Sequence, residues 1–141
     1  MATWLFQGNP KLWDMNKDLE QHRKTAWDVR QRSLLGQMHV GDSVYLWRSE
    51  GGRTGTGGVV AHGVLTSEPR SRIGYDYPWV RLVLDDVRLT EEIGALPRTI
   101  LVLDAVLAKL GVIVIARRTN YRLTSEQART LDQLWLARRQ Y

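Results

Sequence analysis

The chain has 141 residues, about the size of one ordinary domain, with 43% hydrophobic and 25% charged residues, enough apolar material for a real core. With no cysteine, it can form neither disulfides nor cysteine-ligated zinc sites, and it has no thiol nucleophile. Twenty basic against 15 acidic residues give a net charge of +5, mostly from arginine, whose planar fork suits phosphate oxygens and base faces.

Residues 3–8 read as a buried first strand, stopped by Gly8, Asn9 and Pro10. The hydrophobic run Trp4–Phe6 is too short for a signal segment. Good helix formers follow from about Asn16 to Thr25, with Trp27–Arg30 just beyond them. Leu34, Leu35 and Gly36 suggest a short helical turn. Val40–Asp42 is a turn. Residues 43–49 then alternate as a strand, with Val44, Leu46 and Arg48 opposed to Tyr45 and Trp47. Residues 50–58 form a glycine-rich hairpin loop leading to a partner strand over 59–66. A polar loop over 70–78 carries Tyr75 and Tyr77, and a third strand follows over 79–87.

Thr99 is expected to cap a helix running to Leu110 and ending at Gly111, with a short strand over 112–116. The apolar stretch from Ile100 to Ile115 is interrupted by Asp104, Lys109 and Gly111 and is no membrane span, so a cytoplasmic protein is expected. Thr124 and Gln127 have capping-box spacing, and Ala128, Leu131, Leu134 and Trp135 follow at helical intervals. This order implies a single α+β domain over residues 1–141.

No catalytic constellation stands out. A Gly-x-Ser-x-Gly elbow and a zinc-seating histidine pair are both missing, and His22, His39 and His62 are far apart in sequence. Asp85 and Asp86 are strand neighbours, so their side chains should point to opposite faces. The loop over 51–58 lacks the Lys-Ser/Thr ending and the following helix of a phosphate loop. Neither cofactor nor metal is expected. Were the protein an enzyme acting on a nucleotide, Asp28 and Glu68 would be the carboxylates to test.

Six tryptophans against one phenylalanine are unusual for core filling alone. Trp4 and Trp135 read as core, and Trp47 stands between core and site. Trp13, Trp27 and Trp79 fall at element boundaries, where binding residues tend to sit.

Five stretches together resemble the EVE domain family: Trp4–Pro10, Thr25–Gln31, Gly41–Ser49, Gly63–Pro69 and Trp79–Leu82, with a looser match at Asn120–Thr124. The resemblance implies a PUA-like curved sheet, nearly closed into a barrel and flanked by helices, related to YTH domains. It also implies a non-catalytic reader that holds a methylated or hydroxymethylated cytosine, or a methylated adenine, in an aromatic pocket. Trp27 looks like the cage tryptophan and Trp79 like its second wall, with Asn9 against the base edge. Arg48 and Ser49 are candidates for base-edge or phosphate contact, and Asp28, Trp13 and Trp47 complete the candidate set. Trp27→Ala should then remove binding and leave the fold intact. Gly8 stands where many relatives have alanine, an exchange expected to matter little. The implied partner is DNA or RNA carrying a modified base, with a nuclease encoded elsewhere as an associate. The alternative is a protein-interaction module that uses the same cleft for a peptide or a partner subunit.

Overall fold

The computed structural model describes residues 1–52 and 54–139; Arg53 of the glycine-rich loop and the terminal Gln140 and Tyr141 lie outside the described residues. Chain order is β1 (Thr3–Gly8), α1 (Met15–Gln21), β2 (Lys24–Asp28), a 3-10 turn (Arg32–Gln37), β3 (Ser43–Arg48), β4 (Gly58–Leu65) and β5 (Trp79–Val87). There follow β6 (Leu96–Pro97), α2 (Arg98–Leu101), α3 (Gly111–Val114), β7 (Asn120–Arg122) and α4 (Ser125–Ala137).

The strands form one mixed sheet in the order β2-β5-β4-β3-β1-β7, with β6 added to β4. β1 and β3 run parallel, and the remaining pairs are antiparallel. The sheet curls through 207° into a half-barrel, so the expected near-closure is corrected. Its two outer strands, β2 and β7, share no ladder. They are joined instead by side chains. Asn120 Nδ2 donates to Asp28 O at 3.0 Å, Arg30 N–H donates to Asn120 Oδ1 at 2.9 Å, and Asn120 N–H donates to Gln31 Oε1 at 2.9 Å.

Alternation along the strands divides the apolar residues between the two faces. The concave side holds Trp4, Phe6, Val44, Leu46, Val80, Leu82 and Leu84, closed by Met15 and Leu19 of α1. Phe6 and Trp27 lie 6.4 Å apart across this space, although three strands separate theirs in the sheet. The convex side carries Leu5, Tyr45, Trp47 and Val59 beneath the C-terminal segment, with Leu131 and Trp135 of α4 docked on them. β3 is therefore buried on both faces, and Trp47 belongs to the convex core.

Three local expectations fail for physical reasons. Residues 24–28, read as the helix end and its exit, form the edge strand β2, paired with β5 from Lys24 opposite Val83 to Asp28 opposite Trp79. The helix expected over 99–110 stops after Leu101. Asp104 Oδ1 then accepts from Val106 and Leu107 N–H at 2.8 and 3.0 Å and starts a new 3-10 turn. Residues 112–116, read as a strand, continue from a helical turn that begins at Gly111, where an added Cβ would lie 2.5 Å from the Tyr121 ring. The capping box of α4 is present with both its hydrogen bonds. No helix among the described residues is long and apolar enough to cross a membrane.

Candidate nucleic-acid interface

The seam between the two outer strands opens into a cleft of about 670 Å³. Its walls come from the end of β1 and the following turn (Gln7, Gly8, Asn9, Leu12, Trp13), the end of β2 (Ala26–Asp28, Arg30), Ser49 after β3, and the 116–119 segment before β7. This volume falls within the roughly 300–1,000 Å³ typical of ligand pockets. Ala116 holds a left-handed backbone conformation (φ 62°), unusual for a residue with a side chain and located in the cleft wall. Arg30, Arg117 and Arg118 line the cleft against a single carboxylate, Asp28, giving it a positive rim.

Two indoles meet inside it. Trp27 is almost fully buried, and its Nε1–H donates to Gln7 O at 3.2 Å. Trp13 is 36% exposed and packs edge-on against Trp27, with centroids 5.1 Å apart and planes at 77°. Both rings touch the backbone at Gly8. A Cβ there would lie 3.0 Å from Trp27, 3.1 Å from Trp13 and 2.8 Å from Met15 Sδ. Gly8 thus leaves the space that the two rings occupy, and an exchange to alanine, expected to matter little, would require both rings to give way by a few tenths of an ångström.

The remaining candidates divide sharply. Asn9 lines the cleft, its Oδ1 accepting from Lys11 N–H at 2.9 Å, which fixes the turn and aims the amide. Ser49 also lines it, its hydroxyl donating to Gly8 O at 3.1 Å. Asp28 is in the wall, held by Arg72 at 2.6 Å and Arg30 at 3.4 Å. Arg48 is not available. Buried at the end of β3, it donates to Thr56 O, Asn16 Oδ1 and Leu89 O at 3.0, 2.8 and 2.9 Å. Burial also lowers its pKa from the ordinary arginine value. Trp47 lies in the convex core, away from the cleft.

Trp79 is the main correction. In the antiparallel pair, Trp27 stands opposite Val80 and Asp28 opposite Trp79, so the two indoles project from opposite faces of the sheet. No slot exists between positions 27 and 79. Trp79 instead lies on the outer surface under Arg72 and Arg81, with guanidinium-to-ring distances of 5.0 and 5.1 Å. Trp27 itself is a core residue, so its truncation to alanine would cost about 3–5 kcal/mol of stability rather than leave the fold intact. Trp13 is the indole with open surface. The sequence signal that could have found this pairing is Gly8, a glycine that ends a strand bearing Trp4 and Phe6 and lies five residues before Trp13.

A second cleft, of about 470 Å³, lies on the convex side and includes Ser43, Tyr45, His62, Asp85, Asp86 and Asp132 in its lining. Ser43 Oγ lies 2.6 Å from His62 Nε2, and His62 Nδ1 lies 2.9 Å from Asp85. This arrangement comes from a β-bulge. His62 stands opposite Asp86 and Gly63 opposite Leu84, leaving Asp85 as the extra residue. Both aspartates therefore reach the same cleft, and the expectation that they point to opposite faces is corrected. Gly63 permits the bulge, since a Cβ there would lie 2.3 Å from Val83 O.

The order nucleophile, base and carboxylate is that of a hydrolase triad, but such a site also needs donors for an oxyanion. The Ser43 N–H, which could serve as one, already donates to Ala2 O at 3.2 Å. Beside this group, the Tyr45 hydroxyl donates to Asp132, and its pKa is pushed up, first by burial and then by that bond. Glu68, the other carboxylate considered for catalysis, pairs with His39 at 3.5 Å and lines neither cleft. No cluster of metal-ligating side chains occurs among the described residues.

No family model and no curated protein sequence matches the chain. Solved structures do. A Pseudomonas syringae protein superposes with a TM-score of 0.74 at 19% identity, covering 95% of this chain and 99% of its own. A hypothetical protein from Leishmania major gives 0.73 at 16%, covering 97% and 96%. The human THYN1 protein, solved in complex with DNA containing 5-methylcytosine, gives 0.72 at 16%, covering 96% and 98%. The chain shares the fold of these structures, and the sequence resemblance had implied the PUA-like architecture of EVE domains.

Proposed function

We propose that the chain is a non-catalytic reader that admits a single modified base of DNA or RNA into the seam cleft, with a modified cytosine as the favoured ligand. The observation that carries this reading is the cleft itself: an indole-lined space of about 670 Å³ whose rim is basic at Arg30, Arg117 and Arg118. A flipped base costs a few kcal/mol to extrude, and stacking on one aromatic face returns about 1–3 kcal/mol. An added methyl group contributes about 0.8 kcal/mol more if it is buried against Leu12 or Trp13. The likeness to a THYN1 structure that holds 5-methylcytosine DNA supports the choice of base.

The polar groups suit the same choice. Asp28 offers carboxylate oxygens to an exocyclic amine, the pairing that suits cytosine N4. Asn9 Nδ2 has no hydrogen-bond partner among the described residues and supplies a donor for the ring carbonyl or N3. Trp13, set edge-on against Trp27 rather than facing it, offers the open aromatic face on which the base stacks, and the exposed arginines hold flanking phosphates.

The test is a binding panel. Oligonucleotides carrying 5-methylcytosine, 5-hydroxymethylcytosine or N6-methyladenine, each as DNA and RNA, are titrated against their unmodified counterparts. Trp13→Ala should reduce the preference for the modified base at small cost in stability. Arg117→Ala with Arg118→Ala should weaken all ligands alike. On duplex DNA it should also flatten the slope of log affinity against log salt, by up to about 0.9 for each phosphate no longer neutralised. Equal affinity for every modified and unmodified oligonucleotide would dismiss the reading.

A further inference from the structure

Outside the cleft, the 70–78 loop and the start of β5 carry a second aromatic feature that belongs to neither core. Arg72 lies between two rings, 4.2 Å from the centroid of Tyr75 and 5.0 Å from that of Trp79. Arg30 lies 4.7 Å from Tyr77. Arg72 is fixed by Asp28 at 2.6 Å and by Tyr77 O at 3.3 Å. Tyr75 is 65% exposed and Tyr77 39%, and neither phenol hydroxyl has a hydrogen-bond partner among the described residues. These rings are thus held by cations on one side and left open to solvent. Burial does not account for their presence. The feature is also continuous with the cleft, since Asp28 and Arg30 belong to both.

Ring faces interleaved with guanidinium groups match the surface that unpaired nucleotides use. Bases stack on the rings, and phosphates follow the positive charge. We infer that Tyr75 and Tyr77, set by Arg72 and Arg30, form a stacking platform for the unpaired nucleotides beside the base held in the cleft. The ligand is then a short extruded or single-stranded segment, not an isolated base in an otherwise intact duplex. This inference rests on the cleft being the base pocket. The charge argues for nucleic acid over a peptide, because Arg30 and Arg72 lie against these rings and Arg81 against the neighbouring Trp79.

The experiment compares two probes on the intact protein: the nucleoside 5-methyl-2′-deoxycytidine, and a single-stranded deoxyoligonucleotide of about seven residues with 5-methylcytosine at its centre. The wild-type protein should bind the oligonucleotide more tightly than the nucleoside. The double variant Tyr75→Ala/Tyr77→Ala, which alters exposed rings only, should lose fivefold or more of the oligonucleotide affinity and none of the nucleoside affinity. Unchanged oligonucleotide affinity in that variant would overturn the platform. Should the wild type bind the oligonucleotide but not the nucleoside, and the variant lose that binding, the two rings stack unpaired nucleotides but the base-pocket reading falls, and with it the placement of the platform beside a held base. Binding of neither probe by the wild type overturns both.

Discussion

Gly8 is the residue on which the geometry of the cleft turns. A methyl group there would press on Met15, Trp27 and Trp13 at 2.8 to 3.1 Å, and only the methionine has a flexible end to yield. Gly8→Ala should therefore lower stability by about 1–3 kcal/mol in urea denaturation. It should also weaken binding of 5-methylcytosine oligonucleotides by displacing the Trp13 ring. Arg48 has the opposite character. Its position made it a candidate for base contact, yet its guanidinium is committed to three internal acceptors, with no carboxylate partner among the described residues. Arg48→Met removes three internal hydrogen bonds and should cost about 2–4 kcal/mol. The folded fraction should bind nucleic acid as before, and denaturant titration beside a binding isotherm separates the two effects. At this scale the sequence was half legible. Places at element boundaries named Trp13 and Trp27, and the family resemblance named Asn9 and Ser49 with Asp28 completing the set; all five line the cleft, but neither source could say that Trp79 faces away or that Arg48 is internal.

Among the elements, β5 was readable because it alternates between buried and open positions, and β3 and β4, buried at nearly every position, were readable as short apolar runs bounded by turns. β2 was not. Lys24–Asp28 is short, sits on the sheet edge and has only Trp27 in the core, so no period of two develops. The whole orientation of Trp79 follows from this strand, because pairing Asp28 with Trp79 sends that ring outward. The 98–116 segment was misleading for another reason. Its apolar residues pack onto the convex face as short turns, interrupted by the Asp104 cap, and no uninterrupted period marks such turns. Between elements, the seam depends on Asn120, buried and bonded to both Asp28 and Arg30. Asn120→Ala should destabilise the fold by about 1–3 kcal/mol. It should also speed amide exchange at Arg30 and Gln31 more than in β3 or β4, as measured by hydrogen–deuterium exchange. Uniform acceleration across the sheet would instead mean that the seam has no local identity.

For the molecule as a whole, the half-barrel explains why a site lies where it does. Closing the sheet by hydrogen-bonded strands would fill the gap between β2 and β7. Bridging it by side chains leaves a cleft with Trp27 at its base and arginines around it. The α+β class and the PUA-like curvature were legible from the order of strands and helices together with the EVE resemblance. The degree of closure was not, since it depends on two edge strands with little apolar pattern. The convex face carries its own cleft, with the Ser43–His62–Asp85 chain of hydrogen bonds, so the two sides of the sheet offer different chemistry to solvent.

The six indole N–H groups provide the most direct test, because they are spread over both sides of the sheet. Trp13 and Trp27 line the seam cleft, whereas Trp47 lies in the convex core and Trp135 lines the convex cleft. In two-dimensional ¹⁵N spectra, addition of 5-methyl-2′-deoxycytidine should shift the Trp13 and Trp27 Nε1–H resonances and leave those of Trp47 and Trp135 in place. Shifts confined to Trp135, or to none of the six, would contradict the account.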